Sequence, residues 1–337
     1  MTWAMAAVTP KTRNSRNTEM VTTVAEQAAQ YLTFRLGEEV FALDITQVRE
    51  GGVVRKIGFF TIIALCLGLF AVPRAGALQP LKLGVHPYLS STDLVRRFKP
   101  LADYLGRELK VPVTIEIADS YKTHIRNVGA GAVDIAIMGP ASYVALIDEY
   151  GPRPILAAFE ANGRKTFRGV IVARRESPIT NLAGLKGKRF AFGDRQSTMS
   201  HLVPRQMLLK QGVAVGDLAE HQFLTNHDNI ALGVLGGDFD AGALMEVVFR
   251  KYEPEGLKAL AFSPEYGDHV FVMGAKMTAQ TAQAVRQALL GLKDRPGGKE
   301  ILAAIRQDLA ALVPAEDREY DNLRAVLKEL KAAGVEP

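Results

Sequence analysis

From residue 78 onward, short apolar runs alternate with longer stretches whose apolar residues recur at helical spacing. The runs LKLGVHP, VPVTIEIA and VDIAIMG predict three strands, and the stretch 91–109 between the first two predicts a helix. Ser120 is placed to cap the next helix, and Pro140 is placed to open the one after it. This alternation predicts an α/β domain.

The pattern also predicts a second α/β unit, entered from the first. The segment FRGVIVARRESPI reads as a strand leaving the first unit, and KRFAFGD begins a new series that includes HQFLTN and FDAGALM. The run DHVFVMGAKM returns before two closing helices at 279–290 and 317–333. Two crossings imply two lobes with a cleft between them, hinged at the crossings. We therefore expect one lobe at 78–172 and 269–337, and the other at 173–268.

Residues 53–77, VVRKIGFFTIIALCLGLFAVPRAGA, have the layout of a secretory signal peptide. Two cations precede about 16 apolar residues and the small-x-small ending Ala75-Gly76-Ala77. A membrane span usually needs about 20 apolar residues. We expect cleavage after Ala77 and export to the periplasm, with a retained anchor as the alternative. Cys66 follows Leu65 inside the apolar run, so we interpret it as an ordinary apolar position rather than a lipid-attachment site.

Residues 30–50, QYLTFRLGEEVFALDITQVRE, alternate apolar and polar positions around Gly-Glu-Glu and predict a β-hairpin. This segment resembles the opening strands of CheW-like chemotaxis coupling proteins over about 20 residues. Two strands alone lack a sheet against which to bury an apolar face. We therefore interpret residues 1–52 as a CheW-like fragment rather than an autonomous domain, with the natural start expected at Val53 or Val54.

Charge and composition exclude several classes of function. The chain carries 41 Lys and Arg against 36 Asp and Glu; residues 1–77 hold 8 and 6 of these, which leaves 33 against 30. This small, dispersed excess does not predict nucleic-acid binding. One cysteine excludes an intramolecular disulfide, and no HExxH motif appears. Without an activated Ser-His-Asp set or a Gly-rich loop followed by Lys, we expect neither an enzyme nor a cofactor or metal.

Five segments, taken in order, resemble the phosphate, phosphite and phosphonate-binding proteins of ABC importers. They are ADSYKTHI, VDIAIMGPASYVAL, ESPITNLAGLKGKRFAFGDRQSTMSHLVP, NHDNIALGVLGGDFDAGALME and SPEYGDHVF. The resemblance covers nearly all of the chain after residue 77. It implies a two-lobed periplasmic binding protein fold, type II-like, with a ligand cleft between the lobes. It also implies a monomer that captures a small phosphorus oxyanion and delivers it to an ABC permease in the inner membrane.

The resemblance also implies a set of ligand-facing residues: Tyr121, Ser197, Thr198, His227, Glu246 and Asp268. Two positions depart from the family pattern. Met138 stands where phosphonate-binding members often present an aromatic hydroxyl, and Met199 stands where a further hydroxyl is common. Both are interpreted as packing residues, with pocket wall as the alternative.

The chemistry of the hydroxyls and of the histidine fits an anion. Ser197 and Thr198 follow an apolar strand at a predicted helix start, where unpaired backbone N–H groups attract anions. The alternative is that they only cap their own helix. His227 is placed to donate to an oxyanion, with a surface histidine as the alternative. His86, Tyr88 and Ser90, after the first strand, are further candidates at the same cleft.

Asp268 and Glu246 repel an anion unless the ligand itself brings a hydrogen-bond donor. We expect them to accept a hydrogen bond from a protonated oxygen or an amine, with a hinge or surface charge as the alternative. A second hypothesis for the whole chain is a periplasmic ligand-sensing module that reports to a receptor or a kinase. The chemotaxis-like segment motivates that hypothesis.

Overall fold

The computed structural model of the protein describes residues 31–36, 39–44 and 80–335. Strands β1 (Tyr31–Leu36) and β2 (Glu39–Asp44) pair antiparallel. The predicted hairpin is therefore confirmed in its two strands. The predicted signal peptide at 53–77 lies outside the described residues.

Thirteen strands lie in residues 80–335. They are β3 (Leu81–Val85), β4 (Val113–Ile117), β5 (Ile135–Met138), β6 (Ile155–Ala161), β7 (Thr166–Phe167), β8 (Gly169–Arg174), β9 (Arg189–Phe192), β10 (Glu220–Phe223), β11 (Ala241–Met245), β12 (Leu257–Phe262), β13 (Tyr266–Gly267), β14 (Val270–Met273) and β15 (Leu309–Val313).

Nine α-helices lie in the same range. They are α1 (Ser91–Leu109), α2 (Tyr121–Gly129), α3 (Pro140–Tyr150), α4 (Val203–Lys210), α5 (His227–Gly236), α6 (Glu246–Tyr252), α7 (Ala279–Gly291), α8 (Gly298–Ile305) and α9 (Asp321–Ala332). A π-helical turn, Thr198–Leu202, precedes α4. Within this range no helix is both long enough and apolar enough to span a membrane.

The strands form two mixed sheets of similar design. The first has the order β15-β6-β14-β5-β3-β4, with β3 parallel to both β4 and β5 and β14 antiparallel to β5 and β6. The second has the order β10-β9-β11-β8-β12, with β9 parallel to β10 and β11 and β8 antiparallel to β11 and β12. The antiparallel strand between β5 and β6 in the first sheet is β14, with which the chain returns from the second sheet. The antiparallel strand of the second sheet is β8, with which the chain enters that sheet. The predicted α/β class and two-lobed, type II-like architecture are confirmed.

The two crossings lie side by side, because β7 and β13 pair antiparallel as a two-stranded ribbon between the sheets. The predicted boundary at residue 172 is wrong. It falls within β8, a strand of the second sheet, so the first crossing lies before Gly169. The prediction places residues 167–172, the first six of FRGVIVAR, in the first lobe because this apolar run gives no signal of which sheet will receive it.

Most of the helix ends predicted from the sequence are confirmed. The Ser120 hydroxyl accepts a hydrogen bond from the Thr123 N–H at 3.1 Å, and Pro140 is the first residue of α3. The predicted closing helices correspond to α7 and α9, with a 3₁₀ turn over Asp317–Tyr320 in front of α9. The prediction missed α8 and β15 between them. The apolar face of α1 packs into the core, although its Val95 is 43% exposed.

Candidate functional site

One small cavity lies where the carboxyl ends of parallel strands from both sheets meet. Its volume is about 10 Å³, about the room that one water molecule needs. Its lining comes from the turns after these strands and from one crossing. The lining residues are His86 after β3, Tyr121 after β4, Gly139 after β5, Ser197, Thr198 and Met199 after β9, His227 after β10, Met245 at the end of β11, and Phe167 in β7.

Most of the lining residues stand at the start of a helical segment. Tyr121 and His227 are the first residues of α2 and α5, while Gly139 and Ser197 are N-caps. Helix N-termini present unpaired N–H groups and the positive end of the helix dipole. Several such termini around one cavity favour a negatively charged occupant.

Ser197 and Thr198 lie side by side on this lining and are 3% and 4% exposed. Ser197 Oγ accepts hydrogen bonds from the Ser200 N–H (3.3 Å) and the Ser200 hydroxyl (2.6 Å), so Ser197 caps its own helical turn. Thr198 Oγ1 accepts from the Ala141 N–H of α3 at 2.9 Å, which joins the two lobes. Gly193 allows this turn to close, because a side chain there would overlap Ser200.

His227 is buried, and its Nδ1 accepts a hydrogen bond from the Met245 N–H at 3.2 Å. In the neutral ring the proton therefore resides on Nε2, which makes Nε2–H the donor available for a ligand. Burial, together with nearby His269, lowers the pKa of His227 to about 4. The surface-histidine alternative is excluded by this burial.

Tyr121 is 4% exposed, and its hydroxyl neighbours Ser197. Burial and the charge of Asp194 raise the pKa of Tyr121 well above its usual value, so the phenol is a neutral donor. Apart from His86 and Gly139, the rest of the lining is apolar, from Phe167, Met199 and Met245. Met199 is thus part of the pocket wall, whereas Met138 is fully buried in β5 and is not among the lining residues.

Asp268 does not line this cavity, and its carboxylate is already occupied. It is fully buried and accepts from Arg306 at 3.0 and 2.8 Å, and from the His269 backbone and ring nitrogens at 2.7 and 2.8 Å. Burial acts to raise its pKa, but Arg306 and His269 hold the pKa of Asp268 well below its usual range. The Asp268 carboxylate therefore holds the side chains of His269 and Arg306 in position.

Glu246 also lies outside the cavity lining. It accepts from Arg168 Nε at 2.5 Å and Nη2 at 3.0 Å, and from Arg250 Nη2 at 2.9 Å. These hydrogen bonds lower the pKa of Glu246, and the one from Arg168 has the largest effect. The sequence resemblance predicts that Asp268 and Glu246 face the ligand. The sequence gives no sign that each carboxylate is paired with an arginine far away along the chain.

A second, larger space lies between the lobes beside the cavity, with a volume of about 830 Å³; we call it the entrance cleft. Phe167 and Met245 line both spaces and so form the wall between them. The entrance cleft is rich in charge. Its charged residues are Arg164, Arg168, Glu246, Arg250, Lys251, Glu265, Arg306 and Asp308.

A family model described as the periplasmic substrate-binding protein of phosphonate ABC transporters matches residues 83–320. The chain belongs to this family. A relative from Mycolicibacterium smegmatis, the phosphate-import protein PhnD, is 26% identical over 298 residues, covering 78% of this chain and 93% of the relative. A probable phosphite-binding protein of an ABC transporter from Prochlorococcus marinus, PhnD1, is 24% identical over 81% of this chain and 97% of its own length.

Solved structures share the fold. PhnD1 from Prochlorococcus marinus, solved in complex with methylphosphonate, superimposes with a TM-score of 0.68 over 75% of this chain and 98% of that one, at 24% identity. A binding protein component of a phosphonate ABC transporter from Pseudomonas aeruginosa gives 0.68 over 73% and 85%, at 21% identity. The likeness extends over nearly the whole length of PhnD1, which confirms the predicted two-lobed fold.

The structure therefore brings together Tyr121, Ser197, Thr198 and His227, and it separates Asp268 and Glu246 from them. Sequence reasoning missed Gly139, Phe167 and Met245. The Gly-Pro pair at 139–140 signals a helix start after a strand, which was enough to find Gly139. Phe167 lies in a crossing whose basic neighbours resemble a solvated loop, so no pattern reveals its inward position.

Proposed function

We propose that this protein is a periplasmic solute-binding protein that captures a small phosphorus oxyanion, a phosphonate or phosphite, for an ABC importer. The observation that carries the proposal is the cavity in which the hydroxyls of Ser197 and Thr198 meet His227 at converging helix N-termini. Hydroxyls and a neutral histidine donate hydrogen bonds without adding charge, and the helix termini stabilise the anion.

The cavity lining also bears on which oxyanion fits. Its apolar wall of Phe167, Met199 and Met245 suits a ligand with one substituent that needs no hydrogen bond, such as the hydrogen of phosphite or the methyl group of methylphosphonate. The lining contains no carboxylate, so an amine on the ligand finds no acceptor of opposite charge there. We therefore expect phosphite and methylphosphonate to bind more tightly than aminoethylphosphonate, with phosphate weakened by its fourth polar oxygen.

The relatives support this choice of ligand class. The relatives from Mycolicibacterium smegmatis and Prochlorococcus marinus are named for phosphate import and for phosphite binding, and the Prochlorococcus structure is a complex with methylphosphonate. The family description refers to an ABC transporter, which favours import over the sensing hypothesis. We further propose export by the segment 53–77, action as a monomer, and no catalytic turnover of the ligand.

Capture requires the lobes to move. A tetrahedral phosphorus oxyanion is larger than one water molecule, so a cavity of about 10 Å³ must widen to admit it. The paired crossings β7 and β13 are the natural hinge, and Phe167 belongs to both the hinge and the cavity wall. We expect the radius of gyration measured by small-angle scattering to change between ligand-free and ligand-saturated protein. An unchanged value contradicts the hinge.

Titration calorimetry tests the proposed function. Phosphite, methylphosphonate, phosphate, aminoethylphosphonate and methanesulfonate are each titrated into the purified protein, and thermal unfolding is measured in parallel. A ligand present at about 100 times its Kd adds about 2.7 kcal/mol to the free energy of unfolding. Binding of phosphite or methylphosphonate ahead of the others supports the proposal. Absence of binding by every phosphorus compound contradicts it.

A further inference from the structure

His86 has an unusual environment for a buried polar side chain. It is 1% exposed, and within residues 80–335 neither its Nδ1 nor its Nε2 has a hydrogen-bond partner. A buried donor left without a partner costs stability, and natural proteins keep few of them. The same ring lines the small cavity.

The ring of His86 is held firmly in this position. It packs against Tyr88 and Tyr121, with ring centroids 4.9 and 4.8 Å away. Gly139 lies against its edge, since a Cβ at residue 139 would stand 3.2 Å from His86 Cε1. Three residues therefore orient the His86 side chain, and none of them forms a hydrogen bond with its ring. Such support is typical of a residue positioned for a ligand.

Three other histidines surround His86, and each of them has a partner. His124 bonds the Ile137 carbonyl at 3.0 Å, His269 bonds the Asp268 carboxylate at 2.8 Å, and His227 accepts from Met245. These partners set the tautomers of the three rings. The described residues contain no group of three or more side chains arranged to hold a metal ion. A metal therefore does not explain the ring of His86.

We propose that His86 is a further ligand-binding residue, which donates a ring N–H to an oxygen of the bound phosphorus oxyanion. His86 comes from the first lobe and faces the hydroxyls of Ser197 and Thr198 from the second, so the anion is held from both sides of the cavity. This inference rests on the proposed function and assigns one more donor to the same site.

Binding of an anion is expected to raise the pKa of His86. The groups that face the ring are Tyr88, Tyr121, His124, His227 and His269. Burial, followed by the charges of the three histidines, lowers the pKa of His86 well below its usual value, so the ring is neutral in the ligand-free protein. An anion against the ring favours its protonated form and raises this pKa.

Affinity measurements on matched variants test the inference. Phosphite, methylphosphonate and phosphate are titrated by calorimetry into the wild type, His86→Phe, His86→Gln and the control His124→Gln. A hydrogen bond to a charged group predicts about 10- to 100-fold weaker binding for His86→Phe. His86→Gln keeps an N–H donor and is expected to lose less, and His124→Gln, which lies outside the cavity lining, is expected to bind like the wild type.

A spectroscopic measurement on the wild type separates a direct contact from a structural role. With ¹⁵N-labelled histidine, saturating methylphosphonate is expected to shift the ring nitrogens of His86 and raise its pKa, while those of His124 stay nearly unchanged. Unchanged His86 signals at saturation, or wild-type affinity in His86→Phe, overturn the inference alone. Absence of wild-type binding to all three compounds overturns the proposed function, and the inference with it.

Discussion

The small cavity and the entrance cleft lie next to each other and are built from opposite chemistry. The cavity is lined by hydroxyls, neutral rings and apolar side chains, whereas the entrance cleft is lined by arginines paired with carboxylates. Phe167 and Met245 separate them. The difference shows that the predicted ligand residues fall into two groups. The neutral donors surround the cavity, and the two carboxylates belong to ion pairs outside it.

This separation has a physical reason. A buried, unpaired cation or carboxylate in the cavity costs several kcal/mol of desolvation in the ligand-free protein. Hydroxyls, neutral histidines and helix termini avoid that cost and still stabilise an anion. In the entrance cleft the side chains of Arg168 and Arg250 are partly exposed, so they remain charged beside Glu246 and are expected to attract anions from solution. The predictions below address this contrast, starting with the largest expected effect.

Acidification to pH 5 is expected to destabilise the folded protein through its buried histidines, at a higher pH than the carboxylates would. Burial lowers the pKa of His124, His201 and His227 to about 4, below the value of about 6.5 in an unfolded chain. The unfolded state therefore binds more protons, and this part of the stability is complete above pH 6.5 and is lost as the pH falls toward 4. For each histidine, the free energy of unfolding is expected to fall by about 2 kcal/mol between pH 7 and pH 5.

Urea unfolding at pH 7 and pH 5 measures this loss. The paired carboxylates act in a lower range, because the lowered pKa of Asp268 and of Glu246 keeps their contribution intact until the pH falls below about 4. His124→Gln serves as the control, since it removes one titrating ring and is expected to lose less stability on acidification. Equal stability at the two pH values contradicts the prediction.

Asp268→Asn is expected to lower the free energy of unfolding by about 3 kcal/mol. The substitution leaves the guanidinium of Arg306 buried without its main partner, and breaking a buried pair from one side is costly. Chemical denaturation measures the effect. Asp308→Asn is the matched control, because Asp308 pairs with the same arginine but is 38% exposed, so a smaller loss is expected.

The ligand ranking of Asp268→Asn distinguishes an anchor from a ligand contact. Since Asp268 lies outside the cavity lining, its variant is expected to keep the wild-type order of ligands. A stable variant with a changed order supports the sequence-based expectation of direct contact with the ligand instead.

Thr198→Ala and Ser197→Ala are each expected to weaken phosphite or methylphosphonate binding about 10- to 100-fold, the range for a hydrogen bond to a charged group. Ser197→Ala also removes a cap and is expected to lower stability by about 1 kcal/mol. Calorimetry and denaturation measure the two effects separately. Thr198→Ser, which keeps the hydroxyl, is the control. Wild-type affinity in both alanine variants means that the hydroxyls serve only as caps and as the contact with Ala141.

Several elements of the fold and of the cavity follow from local sequence patterns. The runs before His86, Tyr121 and Ser197 are strands, and each leads into a helical segment whose start is marked by Ser or by a hydroxyl cluster. Because the carboxyl ends of parallel strands meet at one edge, these turns were expected to converge. The family resemblance then named Tyr121, Ser197, Thr198 and His227, which the structure places on one cavity.

The rest depends on contacts between distant segments. Arg306 pairs with Asp268 across 38 residues, and Arg168 pairs with Glu246 across 78. No local pattern specifies such partners, so the sequence holds no signal against the ligand role that the family resemblance implies for both carboxylates. The sheet that receives β8 and the inward position of Phe167 also depend on long-range pairing. Charge at a cleft is therefore harder to interpret from sequence than a hydroxyl at a helix start.

Glu246→Gln is expected to produce the smallest effect. Its side chain is 25% exposed and its partners are partly solvated, so the loss of stability is expected to stay below about 1 kcal/mol. Removing this carboxylate leaves Arg168 and Arg250 less neutralised in the entrance cleft, so anions are expected to associate faster at low ionic strength. Screening at high salt is expected to abolish the difference from wild type.

Stopped-flow association with methylphosphonate at low and high salt measures the effect of Glu246→Gln. Glu316→Gln is the control, because it removes one carboxylate from an exposed pair with Arg318 outside the entrance cleft. A rate increase in Glu246→Gln alone, with the ligand ranking unchanged, assigns the charges of the entrance cleft to attraction and those of the cavity to recognition. A changed ranking places Glu246 in contact with the ligand, and the division between the two regions then fails at that residue.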